Sequence, residues 1–377
     1  MPTSALYDST RARLAQHLPQ ALASQLDTLG YILVGVVQSM SSQMAKIARA
    51  MPLDTTERAK EQRLRRFLDN ERLSLSDHYH PLVQAGLHGL TGQRVQLLID
   101  RVLLRNQHNI LVVSVGFRRR SIPLVWKALP HRGASGLEDQ QALIQAAVAL
   151  LPPEVRISVH GDSEFRSRTL FGWLLEQGYD AMLGVRGDVR VYGEQLGDDS
   201  GKALVQFVPE LEGSPAAGRR RRHRTSPVRY LSGVAVGEED RVGPVNLLAW
   251  WERDDDAKVI LHAVMTNLPA TARTKAYGKR RMWIETVFRD WQSGGFQLDE
   301  CGLPDTSRVA QLLLVLAIAY LWLVSVGRWV VKRGYRRLID DGSSRDWHFS
   351  LFQLGVGWKE RLASYTQALP VLFYIYG

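Results

Sequence analysis

The chain has 377 residues, 45% of them hydrophobic, which is enough for a large core and two or three domains. Its 48 Lys and Arg against 38 Asp and Glu, with a sequence pI near 9.8, point to a polyanionic partner, either nucleic acid or an anionic membrane. Cys301 is the single cysteine, which excludes an intrachain disulfide and a multi-cysteine zinc site. No Walker-type glycine-rich loop is present, and the opening "MPTSALYDSTRARL" lacks the basic-then-apolar layout of a signal peptide.

Residues 1–90 read as helical. Apolar residues recur at helical spacing through "LDTLGYILVGVVQSMSSQMAKIARAMP". Asp54 and Glu57 have capping-box spacing and predict a helix start there. Leu64, Phe67 and Leu68 make a narrow apolar stripe on that helix. Arg58, Lys60, Arg63, Arg65 and Arg66 crowd the rest of it, as a solvated face or a DNA-contacting one. His78 and His80 have no zinc motif around them and read as a surface pair.

Three β-branched, apolar runs follow: "RVQLLIDRVLL", "NILVVSVGF" and "IPLVWKAL". They predict three consecutive antiparallel strands. "EDQQALIQAAVALLP" predicts a helix, "VRISVHGD" a fourth strand, "RSRTLFGWLLEQG" a second helix and "YDAMLGVRG" a fifth strand. Between 188 and 265, short strand-like runs alternate with Gly, Pro and charge clusters, so an all-β insertion is expected. It contains the arginine run at 219–222 and the acidic triplet Asp254, Asp255 and Asp256, which reads as a turn. From Pro269 the chain is helical to about residue 335. The tail "FQLGVGWKERL" onward has no assigned element.

Residues 309–327 carry no charge and are about long enough to span a bilayer. A buried central helix packed beneath the Glu285 helix gives the same pattern and is the expected one.

In a βββ-α-β-α-β layout the first and fourth strands can lie side by side. Asp100 is on the first, and Asp162 is at the tip of the fourth, where it could equally cap a following helix. Carboxylates on neighbouring strands can hold divalent cations through oxygen. Glu285 lies in "YGKRRMWIETVFRDWQSGGF", where Arg281, Glu285, Phe288 and Gln292 should share one helix face.

Together "LLIDRVLL", "RRRSIPLVWKAL", "GDSEF", "VMTNLP" and "RMWIETVFRDWQSGGFQL" resemble, in order, the blocks of bacterial insertion-sequence transposases of the Asp-Asp-Glu type. The branch is the insertion-sequence-four-like one with a Tyr-Arg-Glu-Lys signature, and the resemblance covers about residues 40–335. It implies an α/β chain: a ribonuclease-H-like mixed sheet with flanking helices, an all-β insertion and a helical N-terminal DNA-binding domain. The implied divisions are 1–90, a catalytic core over 91–187 and 266–335, the insertion over 188–265, and a tail over 336–377.

The resemblance further implies that Asp100, Asp162 and Glu285 are the catalytic and metal-binding triad, holding two Mg²⁺ (or Mn²⁺) ions. DNA contacts fall to Tyr277, Arg280, Arg281, Arg289 and Gln292, with Arg63, Arg65, Arg66 and Arg219, Arg220, Arg221 and Arg222 adding phosphate grip. The implied partners are double-stranded DNA, as transposon ends and target, and a second copy in a synaptic homodimer. No membrane is expected, and the location is cytoplasmic and nucleoid-associated. The chain departs from the signature at Gln292 in place of Lys, at Gly278 where the Tyr belongs (Tyr277 is one position off), and at Val102 in place of a hydroxyl. A catalytically inactive DNA-binding descendant and a membrane protein anchored through 309–327 are the rival readings.

Overall fold

The computed structural model describes residues 3–105, 107–196, 201–209, 225–253, 258–342, 347–365 and 367–374. Arg219, Arg220, Arg221 and Arg222, and the acidic triplet at 254–256, lie outside these. The N-terminal part is six helices: α1 (Thr3–His17), α2 (Ala23–Ser39), α3 (Met44–Ala50), α4 (Glu57–Leu68), α5 (Leu75–His78) and α6 (His80–Leu87).

The start of α4 differs from the capping-box expectation. Thr56, not Asp54, is its cap, and the Thr56 hydroxyl accepts from the Ala59 N–H at 3.3 Å. Leu64, Phe67 and Leu68 are buried as expected. His78 is buried, contrary to a surface pair, because α5 tucks its ring back against the Ser74 backbone.

Among the described residues the sheet has ten strands: β1 (Arg94–Leu104), β2 (His108–Phe117), β3 (Arg120–Leu129), β4 (Arg156–Gly161), β5 (Asp180–Gly184), β6 (Arg190–Tyr192), β7 (Lys202–Ala203), β8 (Arg229–Val236), β9 (Val242–Arg253) and β10 (Val259–Thr266). Their order is β3-β2-β1-β4-β5-β10-β9-β8-β6-β7. β1, β2 and β3 are antiparallel, whereas β1–β4 and β4–β5 are parallel. The parallel steps need crossovers, supplied by α7 (Leu137–Val148) before β4 and α8 (Arg168–Glu176) before β5. This is the ribonuclease-H-like mixed sheet with flanking helices that was expected. The inserted strands do not form a separate sheet. The chain runs out to β6 and β7 and returns through β8, β9 and β10, which pairs antiparallel with β5 and continues the same sheet.

Beyond the sheet lie α9 (Ala272–Gly278), α10 (Trp283–Trp291), α11 (Thr306–Lys332) and α12 (Leu351–Ser364). α12 occupies the stretch for which the sequence suggested no element. The apolar segment 309–327 is the centre of α11. Its mean hydropathy of 2.4 and its length would suit a bilayer, but its apolar window is 89% buried inside the chain. A helix apolar on every side must be covered on every side. Here α12, α2, β2 and β3 cover it.

Three polar side chains of α11 are accommodated by carbonyls. Gln311 Nε2 donates to the Leu73 carbonyl (3.1 Å), Trp322 Nε1 to the Pro370 carbonyl (2.8 Å) and Ser325 Oγ to the Leu321 carbonyl (2.7 Å). Pairing of Asp100 with Val112 and of Val112 with Trp126 puts these three side chains on one sheet face. Trp126 donates from Nε1 to the Ala310 carbonyl of α11 at 3.2 Å and lies edge-on to Trp291 of α10. α10 and α11 therefore share the Asp100 face.

Candidate active site

The register of the parallel pair places the two aspartates. Arg94 pairs with Arg156 and Ile99 with Gly161, a constant offset that brings Asp162 beside Asp100 one step past the last paired residue. The chain must turn sharply at that tip. Gly184 of β5 allows the turn, since a Cβ there would stand 2.8 Å from the Ser163 N–H nitrogen and 2.9 Å from the Asp162 carbonyl carbon. Asp162 caps only a single 3-10 turn, Ser163–Phe165, accepting from the Glu164 N–H at 2.8 Å; Ser167 caps α8.

A partly buried ion pair links the chain segments that carry the two aspartates. The Arg101 N–H donates to Asp100 Oδ1 at 2.8 Å, as the Glu164 N–H donates to Asp162. The side chains of the same two residues, Arg101 and Glu164, form a two-pronged pair, Nε to Oε1 at 2.5 Å and Nη2 to Oε2. Arg101 also donates to Asn109 Oδ1 (3.0 Å) and the Gly133 carbonyl (3.1 Å), and Glu164 accepts from the Ser135 N–H (3.2 Å). Such a planar fork fixes orientation as well as charge.

Glu285 comes from α10. Ile284, Val287, Phe288 and Trp291, at i, i+3, i+4 and i+7, are the buried stripe of this helix. That leaves Glu285 and Arg289 on the side that lines a cleft of about 910 Å³, together with Asp162, Arg281, Lys279 and Trp283. The Asp100 carboxyl is pushed up to about 7, chiefly by burial and next by Asp162; Arg281 opposes this and Glu285 adds to it. Two carboxylates side by side repel, and a dication between them would remove that repulsion. Glu285 Oε1 leans instead toward Arg281 Nη1 at 3.6 Å, and its side chain is 42% exposed. Among the described residues no three His, Cys, Asp or Glu side chains converge closely enough to enclose a metal ion. Two carboxylates, Asp100 and Asp162, are thus adjacent, and a third, Glu285, lines the same cleft as Asp162.

The expected helix face from Arg281 to Gln292 is not continuous. Lys279–Met282 is a 3-10 turn, α10 begins only at Trp283, and the chain leaves the helix at Gln292. Arg281 therefore enters the cleft, but Gln292 turns away and reaches Asp299 Oδ1 at 3.4 Å. Gly278 is buried, and a Cβ there would stand 3.1 Å from Val264, so a side chain at this position would require Val264 to shift. Tyr277 and Arg280 point elsewhere, Arg280 lying 4.7 Å above the Tyr277 ring. Arg63 is engaged with Tyr31 (5.3 Å) and Thr28 (3.2 Å), while Arg65 and Arg66 are exposed.

Several cleft residues escaped sequence reasoning because they belong to the inserted strands. Trp250 and His262 are directly paired across β9 and β10 and stack at 5.6 Å. Glu252 accepts from Lys279 (2.6 Å) and the Trp250 indole (3.2 Å); burial works to raise its carboxyl, but these partners hold it below the usual range. Alternation along "LLAWWE" could have put Trp250 and Glu252 on one face, but choosing His262 as their partner needs the register. Beneath the cleft, His160 is held neutral at about 3 by burial and by Arg280, Arg281 and Arg94. Its Nε2 lies 3.0 Å from Ser158 Oγ.

The chain matches no curated protein. Residues 137–322, just under half of the chain, match the family model of the transposase DDE domain, a span that takes in Asp162 and Glu285, begins beyond Asp100 and supports a DDE transposase.

Proposed function

We propose that the chain binds the ends of an insertion sequence, hydrolyses a phosphodiester there and joins the freed 3′ ends to target DNA. The observation that carries this reading is the register pairing that brings Asp100 beside Asp162, which itself lines a cleft together with Glu285. Asp100 and Asp162 would hold divalent metal, Mg²⁺ or Mn²⁺, with Glu285 completing the set by turning from Arg281. The ions, two per site in this reading, would polarise the scissile phosphate and lower the pKa of the attacking water. Lys279, Arg281 and Arg289 on the cleft wall orient the phosphates. The Arg101–Glu164 pair keeps both aspartates in place. Arg65 and Arg66 on α4 add sequence-independent grip, in an N-terminal DNA-binding domain spanning 1–90. A second copy would hold the other end, in a cytoplasmic, nucleoid-associated complex.

The rival reading is a DNA-binding descendant without catalysis, which the turning away of Gln292 favours. One experiment separates the two: incubation of the full chain with duplexes carrying the sequence ends that flank its gene, with Mg²⁺ or Mn²⁺. Cleavage that Asp162→Ala abolishes supports the enzyme. Binding without cleavage in either metal supports the rival.

A further inference from the structure

The other end of β1 borders a second concavity of about 420 Å³. Arg94, Arg118, Arg280 and Arg328 line it with Gln96 and Trp283, and among the described residues no Asp or Glu lines it. Arg280 Nη1 donates to Gln96 Oε1 at 2.9 Å, and the guanidinium lies 4.7 Å from the Tyr277 ring and 5.2 Å from the Trp283 ring, so it is held by one amide and two rings rather than by a carboxylate. Arg328 comes from α11 and is 8% exposed. Arg118 sits in the β2–β3 hairpin turn with φ 45°, exposed at the rim. Arg94 is paired at 3.3 Å with Asp180, which stands outside the concavity. Four guanidinium groups around one space without an acidic side chain focus a positive potential into it. The planar fork of Arg matches phosphate oxygens.

The position relative to the cleft is set by the strand. Arg94 is six residues from Asp100 along β1, roughly 20 Å at the rise of a β-strand. That is about six base pairs of duplex. Trp283 lines both the cleft and this pocket, so the two spaces adjoin at one side chain.

We propose that this pocket seats one backbone phosphate of the bound duplex, about six base pairs from the scissile phosphate. It would be a grip distinct from the cleft, and the assignment rests on the DNA-binding part of the function proposed above. The test uses the full chain and end duplexes carrying a single neutral methylphosphonate at each successive position. The variant is Arg118→Gly with Arg280→Gln. Glycine suits the left-handed backbone at 118, and thermal melting checks that the variant folds.

Wild-type binding should weaken about five- to tenfold at one position roughly four to eight base pairs from the cut. The variant should bind unmodified DNA more weakly by a similar factor, lose sensitivity at that position alone, and show a salt slope smaller by about one. A folded variant that keeps the full sensitivity profile and the wild-type slope overturns the pocket and leaves the cleavage reading standing. A wild-type chain that binds no duplex overturns both. A wild-type chain that binds without cleaving, with the sensitivity lost in the variant, overturns cleavage and keeps the pocket.

Discussion

β1 ends in opposite chemistries. Toward its C-terminal end Asp100 lies beside Asp162 with Glu285 nearby, and burial, then repulsion, pushes the Asp100 carboxyl up to about 7. Around its N-terminal end four arginines face one space with no acid in the lining. The contrast separates two tasks. Carboxylates brought together on neighbouring strands store repulsion that a cation would relieve. Arginines brought together on strand, hairpin and helix offer forked donors that an anion would accept from. A polyanion with bound metal satisfies both ends at once.

The largest effect should come from the acidic end. Asp100→Ala, Asp162→Ala and Glu285→Ala should each lower end cleavage by on the order of a thousandfold or more, with end binding within a fewfold of wild type. Binding lost in parallel with cleavage would dissolve the division between the two ends. The measurement is single-turnover cleavage beside an electrophoretic binding titration.

A smaller effect should follow from loosening the aspartates without touching them. Arg101→Lys keeps the charge but loses the two-pronged pair with Glu164. Cleavage should fall about 10–100-fold, and the Mg²⁺ concentration needed for half-maximal activity should rise. If the metal dependence is unchanged, the pair serves stability alone.

The smallest effect is on stability and pH. A carboxyl raised from 3.8 to about 7 on folding stays protonated between those values, where the unfolded chain has lost its proton. Metal-free stability should therefore fall as pH rises through that window, by roughly 2–4 kcal/mol from this group. Asp290, raised to about 6 chiefly by burial against the pull of Arg120, contributes in the same direction. Asp100→Asn isolates the first term: metal-free melting should drop less between pH 5.5 and pH 8 than in wild type. Saturating Mg²⁺ should stabilise wild type at pH 8 and leave the variant nearly unmoved. Equal pH profiles for the two proteins would mean that Asp100 is ordinarily ionised.

Much of the acidic end was legible because strands obey a simple rule. The separation 162 − 100 equals the register offset of the β1–β4 pair, so alternation and strand order suffice to bring the two aspartates together. The position of Glu285 on the cleft side of α10 follows from the buried stripe of Ile284, Val287, Phe288 and Trp291. That of Gln292 was not legible, because the helix stops at Trp291, and helical periodicity carries no notice of its own end. The arginine end was illegible for a related reason. Arg280 and Arg281 are neighbours in sequence, yet a 3-10 turn sends one to the pocket and the other to the cleft. Arg328 joins them from a helix whose apolar run conceals its purpose. α12 went unassigned because Gly355 and Gly357 weaken its helical pattern, although Ser350 and Gln353 form a full capping box.

The place where β10 joins the sheet bears on how the chain is made. Met182, Leu183 and Gly184 of β5 find their outer partners only in Thr266, Met265 and Val264. Every residue between them must leave the ribosome before that edge is closed. A product truncated within the inserted strands would therefore expose an unpaired strand beside the apolar centre of the sheet, and would lack Glu285, α10 and α11 as well. Such edges recruit other chains. Prematurely stopped copies are thus expected to aggregate or be degraded, not to persist as short inhibitors that compete for DNA ends, so an inhibitor made from this gene would have to extend past β10.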